Sequence, residues 1–217
     1  MTDGTPPAVM MTLDGETRAL VQLAARVAGG TELDVRAGLR EVQRAGTPPE
    51  WVEELILQSY LFCGFPRTLN AAREWRRTEE GQEAGLQGEV QQAEELEAYT
   101  VSGEATCARV YGRFYEKLRR NIVDLHPELD RWMIVEGYGK VLSRPGLDLG
   151  RRELCIVAAC VGSGQDRQLH SHLHGSRNVG VPDSVIAESL ASLEGVVEAP
   201  NLARAVALWE KVRGQGD

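Results

Sequence analysis

Apolar residues recur along much of the chain with the period of a helix that buries one face. Between Arg18 and Ala28 they are Leu20, Val21, Leu23, Ala24 and Val27, and between Arg152 and Val161 they are Leu154, Cys155, Val157, Ala158 and Val161. This spacing indicates helices that belong to a core. Asn-Gly hairpin signals flanked by alternating apolar residues are missing from the sequence. We therefore predict an all-α fold.

The two segments just described belong to a longer internal repeat. Residues 17–75 align with residues 151–209 without a gap, at a constant offset of 134 residues. The identical pairs include Arg18/Arg152, Leu20/Leu154, Ala24/Ala158, Gly30/Gly164, Gly46/Gly180, Pro48/Pro182, Glu54/Glu188, Pro66/Pro200 and Trp75/Trp209. Several are Gly or Pro, which mark helix ends and helix starts. We predict two homologous helical units, a first repeat with a charged linker (1–98) and a second repeat (99–217).

Local signals place some of the helix boundaries. A second helix ends at Gly46 in the first copy, and Thr47-Pro48-Pro49-Glu50 then predicts a helix start with Thr47 as the N-cap. Between the copies, residues 73–97 are rich in Arg, Glu and Gln, which is typical of a solvated helix or a partly mobile linker, and we favour the helix. An amphipathic helix is predicted from Glu104 onwards, through Tyr111 to Leu118.

Composition narrows the possible partners and location. The chain has 217 residues and a net charge of −8, so a phosphate-binding surface is not expected and nucleic acid is an unlikely partner. The longest uncharged runs are about a dozen residues, well below the ~20 that cross a bilayer. The N-terminal residues lack the features of a secretion signal, and the four cysteines contain no Cys-x-x-Cys. We expect a cytoplasmic protein with reduced thiols and no membrane association.

Histidine is scarce, and three of the four residues lie in Leu169-His170-Ser171-His172-Leu173-His174. On a helix His170 and His174 share a face, whereas His172 lies on another. A metal bound by His170 and His174 would need further ligands that the sequence does not place nearby. We therefore favour surface histidines there and predict no metal site.

His172 has a candidate partner in Glu153, nineteen residues earlier on the preceding helix. A glycine turn between the two helices would make them antiparallel, so a carboxylate and an imidazole can meet across the interface. One interpretation is an ion pair between helices or a helix cap. The other is a functional pair, which the apolar surroundings of Glu153 favour because burial of a charge needs a reason.

These motifs resemble the γ-carboxymuconolactone decarboxylase family, which belongs to the all-helical alkyl hydroperoxidase D-like superfamily. The resemblance rests on Ser143-Arg144-Pro145-Gly146-Leu147-Asp148, on Glu153 and His172, on Gly180-Val181, and on Phe62-Cys63-Gly64-Phe65-Pro66 before Asn70-Ala71. It implies a catalytic role for Glu153 and His172. It also implies a symmetric homo-oligomer, a trimer or a multiple of three chains.

The chain also departs from the family pattern. Gln165 and Gln168 occupy the positions of the Cys-x-x-Cys that peroxide-reducing members carry, which leaves Cys63 as a candidate reactive thiol. The first copy has Ala19 and Gly38 in place of Glu153 and His172. The second copy lacks the aromatic element. We hypothesise that the copies share one pocket, with Glu153 and His172 from the second and a wall of Phe62, Cys63, Gly64, Phe65 and Pro66 from the first.

The resulting functional prediction is a decarboxylase-type enzyme for a small carboxylated lactone or keto acid. Glu153 and His172 would move protons to and from carbon without a metal or organic cofactor. Arg144 and Arg152 are candidates for binding the substrate carboxylate, although a structural role beside acidic residues is favoured. The alternatives are an alkyl hydroperoxidase D-like antioxidant that uses a thiol, and a non-catalytic binding protein on the same scaffold.

Overall fold

A computed structural model describes residues 12–87 and 96–214, and within these ranges the chain is helical and contains no strand. The first repeat consists of α1 (Gly15–Gly29), α2 (Glu32–Ala45) and α3 (Pro49–Trp75). The connecting region contains α4 (Glu79–Gln87), α5 (Leu96–Tyr111), a 3₁₀ turn (Gly112–Phe114), α6 (Tyr115–Leu125), α7 (Pro127–Trp132) and a π-helix (Met133–Leu142). The second repeat consists of α8 (Leu149–Ser163), α9 (Asp166–Asn178), α10 (Asp183–Ala191) and α11 (Ala199–Gly214). The predicted all-α fold is confirmed.

The helices of the two repeats start at equivalent positions. The starts of α8, α9 and α10 follow those of α1, α2 and α3 by the same 134 residues that align the sequences. The N-caps also correspond, because Asp14 accepts the backbone N–H of Thr17 and Asp148 accepts that of Arg151. A bend in α3 at Gly64 matches the break between α10 and α11. The tandem repeat is confirmed, and the correspondence extends upstream to the capping aspartates.

The equivalent helices α1 and α8 pack directly against each other. Arg151 donates a hydrogen bond to Thr17, its own counterpart in the alignment, at 2.8 Å. Contact between a residue and its counterpart is the mark of a local twofold axis. Small residues allow the close approach: a Cβ on Gly29 would overlap with the backbone carbonyl of Gly162, and one on Gly162 would lie 2.6 Å from the carbonyl oxygen of Ala25. The two repeats therefore share one core.

Replacing Gly29 by Ala tests this close approach. The added methyl group has to displace the backbone of α8, so we expect the free energy of unfolding to fall by about 1–3 kcal/mol. Gly15→Ala is the matched control at the start of the same helix, because nothing lies within 4 Å of a Cβ there. Urea unfolding of both variants measures the difference. Equal stabilities would contradict the packing described here.

Two local predictions were wrong. Thr47 is not the N-cap of α3: Pro48 occupies that position without a side-chain cap, and the Thr47 hydroxyl donates to the carbonyl of Glu16 instead. The amphipathic helix predicted from Glu104 to Leu118 is interrupted at Gly112, where φ is +51° and the chain turns from α5 towards α6.

Other expectations fall partly or wholly outside the described ranges. The N-terminal segment without a secretion signal and part of the charged linker lie there. The described part of that linker comprises the end of α3, a turn at residues 76–78, α4 and the start of α5. Over the ranges that are described, no helix combines the length and the apolar character needed to cross a bilayer.

Candidate active site

Glu153 and His172 meet between α8 and α9. These helices are joined at Gly164, whose φ of +69° closes α8 in the left-handed region that favours glycine. The Nδ1 of His172 lies 2.8 Å from Oε2 of Glu153. Glu153 is fully buried and His172 is 5% exposed. The contact predicted from the nineteen-residue spacing is present.

The pair is joined by one direct hydrogen bond. With Glu153 as a carboxylate, which only accepts, Nδ1 of His172 is the donor. Nε2 forms no hydrogen bond with the described residues. The second oxygen of Glu153, Oε1, is buried and also has no partner among them. Neither atom is therefore engaged by another group of the described residues.

Gly175 makes room for the carboxylate. A Cβ at this position would lie 2.5 Å from Oε2 of Glu153 and 2.8 Å from Cγ1 of Val110. No side chain fits there without moving the acid away from His172. Gly175 was not predicted from the sequence, although its position one helical turn after His172 was a usable signal.

Two aromatic rings flank the imidazole of His172. Phe62 of α3 lies edge-on, with ring centroids 5.7 Å apart, and Tyr111 of α5 lies at 6.5 Å. Both are half-buried. The first repeat therefore contributes a ring to the pair formed by the second, as the shared-pocket hypothesis expects for Phe62.

The rest of the predicted aromatic wall lies elsewhere. Phe65 is 63% exposed and stacks on Tyr60, with ring centroids 5.0 Å apart, so its predicted place beside His172 is wrong. The cause is Gly64, whose φ of +75° bends α3 between Phe62 and Phe65. Pro66 follows the bend and is exposed. The thiol of Cys63 donates to the carbonyl of Ser59 at 3.1 Å, and burial raises its pKa.

The groups close to Glu153 are neutral hydroxyls and thiols. Burial raises the pKa of Tyr111 and of Tyr138, and the charge of Glu153 raises both further. Burial and the same charge raise the pKa of Cys107 and of Cys160 to about 12. These four side chains therefore stay protonated near neutral pH. The pair lies in surroundings that are largely apolar and that contain weak hydrogen-bond donors.

Arg144 and Arg152 form a buried ionic cluster with Glu54 of the first repeat. Arg152 is completely buried and donates to Glu54 at 2.8 Å, to Gln58 at 3.2 Å and to the carbonyl of Leu147 at 3.0 Å. Arg144 binds the same carboxylate through Nε at 3.0 Å and Nη2 at 2.9 Å. The structural interpretation of the two arginines therefore holds. Their assignment to a substrate pocket stays a prediction that this geometry does not favour, because Glu54 already binds both guanidinium groups.

Arg144 also borders a surface cleft of about 470 Å³, together with Glu50, Arg109 and Asp148. Neither Glu153 nor His172 lines this cleft. The arginines and the cleft thus belong to the contact between the repeats and to the turn before α8, not to the Glu153–His172 pair.

The remaining histidines of the cluster form no metal site in the described chain. The rings of His170 and His174 are 4.9 Å apart. Burial and the neighbouring His170 lower the pKa of His174. Over residues 12–87 and 96–214, no group of three or more His, Cys, Asp or Glu side chains is arranged to hold a metal ion.

In the first repeat, neighbouring side chains pack against the position equivalent to His172. A Cβ on Gly38, the counterpart of His172, would lie 3.0 Å from Cδ1 of Leu23 and 3.1 Å from Cδ of Arg26. Arg26 extends to Glu41 and forms an ion pair with it at 2.8 Å. Of the two copies, the second has both the acid and the imidazole.

Comparison with known families matches this duplicated arrangement. The model of the carboxymuconolactone decarboxylase family matches residues 10–77 and, separately, residues 127–211. The chain belongs to this family. Phe62 lies in the first matched unit of this carboxymuconolactone decarboxylase-family protein, and Glu153 and His172 lie in the second. Tyr111 lies between the two matched units. A comparison with curated proteins gave no match.

Proposed function

We propose that the protein is a decarboxylase-type enzyme that acts on a small carboxylated lactone or keto acid. The observation that supports this proposal most strongly is the buried 2.8 Å contact between His172 and Glu153, with Nε2 of His172 left for a substrate. A histidine can exchange protons near neutral pH, and a carboxylate behind it fixes the tautomer that does so.

The proposed reaction needs little beyond this pair. The C–CO₂ bond breaks, and its electron pair moves towards the carbonyl oxygen of the substrate, which gives an enolate and CO₂. His172, which has first taken up a proton from solvent at Nε2, then delivers this proton to carbon and returns to the neutral form, and Glu153 stabilises the intervening imidazolium. The substrate's own carbonyl accepts the electrons, so the proposal includes no metal or organic cofactor.

The thiol-based peroxidase alternative has weaker support. It needs a reactive thiolate, whereas burial raises the pKa of Cys63 and its thiol donates to a backbone carbonyl. The more deeply buried Cys107 and Cys160 are still harder to ionise. A thiol relay is therefore the second candidate and not the first.

The family resemblance also favours assembly into three chains or a multiple of three. Large apolar side chains are exposed along α6 and α7, among them Leu125, Leu129 and Trp132. Such exposure is compatible with contacts between chains, and the assembly stays a prediction.

Turnover of carboxymuconolactone, the compound that names the family, tests the proposed function. We expect the full chain to release CO₂ from it faster than the uncatalysed reaction, at a rate that Cys63→Ser does not change. Peroxide consumption that Cys63→Ser abolishes would support the peroxidase instead. Failure in both assays, with a protein that still melts cooperatively, would favour the non-catalytic binding protein.

A further inference from the structure

Tyr111 differs from the other residues around His172 in the part of the chain that supplies it. It is the last residue of α5, in the segment between the two units that the family model matches. Its ring centroid lies 6.5 Å from that of His172 and 6.2 Å from that of Tyr138 in the π-helix. Of the two rings that flank the imidazole, Phe62 and Tyr111, only Tyr111 brings a polar group.

The fold holds Tyr111 firmly against α9. The carbonyl of the preceding residue, Val110, accepts a hydrogen bond from the side chain of Asn178 at the end of α9, at 2.7 Å. On its other side α5 packs closely on the π-helix, where a Cβ on Gly103 would overlap with the carbonyl of Ile134. The position of Tyr111 relative to His172 is therefore fixed from both sides.

Exposure places Tyr111 at the border of the site. Glu153, His172 and Tyr138 are buried, whereas Phe62 and Tyr111 are half-buried. Three polar groups lie in this region: the Tyr111 hydroxyl, Nε2 of His172 and the buried Oε1 of Glu153, which has no hydrogen-bond partner among the described residues.

The hydroxyl of Tyr111 is suited to donate a hydrogen bond. Burial raises its pKa, the hydroxyl of Tyr138 partly offsets this rise, and the charge of Glu153 adds to it. The group therefore keeps its proton near neutral pH. A neutral donor in apolar surroundings stabilises a developing oxyanion more strongly than water does.

We propose that Tyr111 is a catalytic residue of the Glu153–His172 site that donates a hydrogen bond to the carbonyl oxygen of the substrate and stabilises the enolate. This inference rests on the proposed function.

The inference also widens the range of substrates, because enolate formation does not require a carboxylate. An uncharged, enolisable carbonyl compound should react as well: His172 removes a proton from carbon, the electron pair moves onto oxygen, and the proton returns to the same carbon or to the far end of the conjugated system. The atoms and charges balance without another reactant.

Proton exchange of α-angelica lactone in D₂O tests this directly. This uncharged β,γ-unsaturated lactone has an acidic CH₂ group and no carboxylate, and NMR reports both deuterium uptake and migration of the double bond. We expect the wild-type full chain to accelerate both. We expect Tyr111→Phe to lower the exchange rate by about 10²-fold, the usual effect of losing one oxyanion donor, and His172→Gln to abolish it.

Two controls separate catalysis from folding. Tyr60→Phe removes a hydroxyl from the ring that stacks on exposed Phe65, away from His172, and should exchange at the wild-type rate. The melting temperature of Tyr111→Phe should stay close to that of Tyr60→Phe, because the phenyl ring preserves the packing.

The outcomes are distinguishable. Exchange by Tyr111→Phe at the wild-type rate, while His172→Gln is inactive, would overturn the role of Tyr111 and leave the proposed function standing. Exchange by the wild type no faster than by His172→Gln would overturn the inference about enolisable carbonyl compounds, whereas the proposed function is decided separately by CO₂ release from carboxymuconolactone.

Discussion

Glu153→Gln is expected to lower kcat for carboxymuconolactone by about 10²–10⁴-fold, the usual contribution of a positioned acid–base group. The amide has nearly the shape of the carboxylate, but it neither stabilises an imidazolium nor requires the Nδ1–H tautomer of His172. The imidazole proton can then lie on either nitrogen, so Nε2 is no longer always the unprotonated one. Steady-state kinetics of CO₂ release measure the effect.

A matched control accompanies this variant. Glu210→Gln changes a carboxylate in an ion pair with Arg213 on exposed α11 and should leave kcat unchanged. Both variants should show cooperative thermal unfolding. A Glu153→Gln variant that turns over at the wild-type rate would mean that the buried acid serves the fold and not the reaction.

The second large effect is expected at Glu54. Glu54→Gln leaves Arg152, which is completely buried, and Arg144 without the carboxylate that neutralises them. Removing one partner of a buried ionic cluster typically costs about 3–5 kcal/mol. Glu54 belongs to the first repeat, whereas Arg144 lies just before the second repeat and Arg152 lies in its first helix. Losing the carboxylate of Glu54 should therefore weaken the contact between the repeats and lower the free energy of unfolding measured with urea.

Glu128→Gln is the control for this prediction. It removes the acid from a pair with Arg131 in which both side chains are about half exposed, so a change of at most ~0.5 kcal/mol is expected. If Glu54→Gln lowered the free energy of unfolding by no more than Glu128→Gln does, the buried cluster would not be important for stability.

Much of the fold could be predicted from the sequence because the repeat consists of local sequence signals that recur at a constant offset. Helical periodicity and the Gly and Pro positions placed the repeat helices in register. The contact between Glu153 and His172 was also predictable, because two helices joined by a glycine turn leave few residues able to face each other. These features depend on short-range geometry.

The parts of the site that were missed depend on contacts between distant segments. Tyr111 lies beside His172 because α5 packs against α9, and no pattern within α5 indicates this. Glu54 binds Arg144 and Arg152, which lie 90 and 98 residues further along the chain. Phe65 was misplaced because the positive φ of Gly64 is not readable from the spacing of the aromatic residues.

We propose that the two copies contribute to one site. The second copy retains Glu153 and His172, and the first contributes Phe62, while Leu23 and Arg26 pack against Gly38, the counterpart of His172. In this proposal a single imidazole in each chain carries out the proton transfer.

The most direct test compares CO₂ release from carboxymuconolactone by the wild type and by His172→Gln at equal folded concentrations. We expect catalysed release by the wild type and only the uncatalysed rate in the variant, with similar melting temperatures. Equal catalysed rates in the two proteins would contradict this expectation.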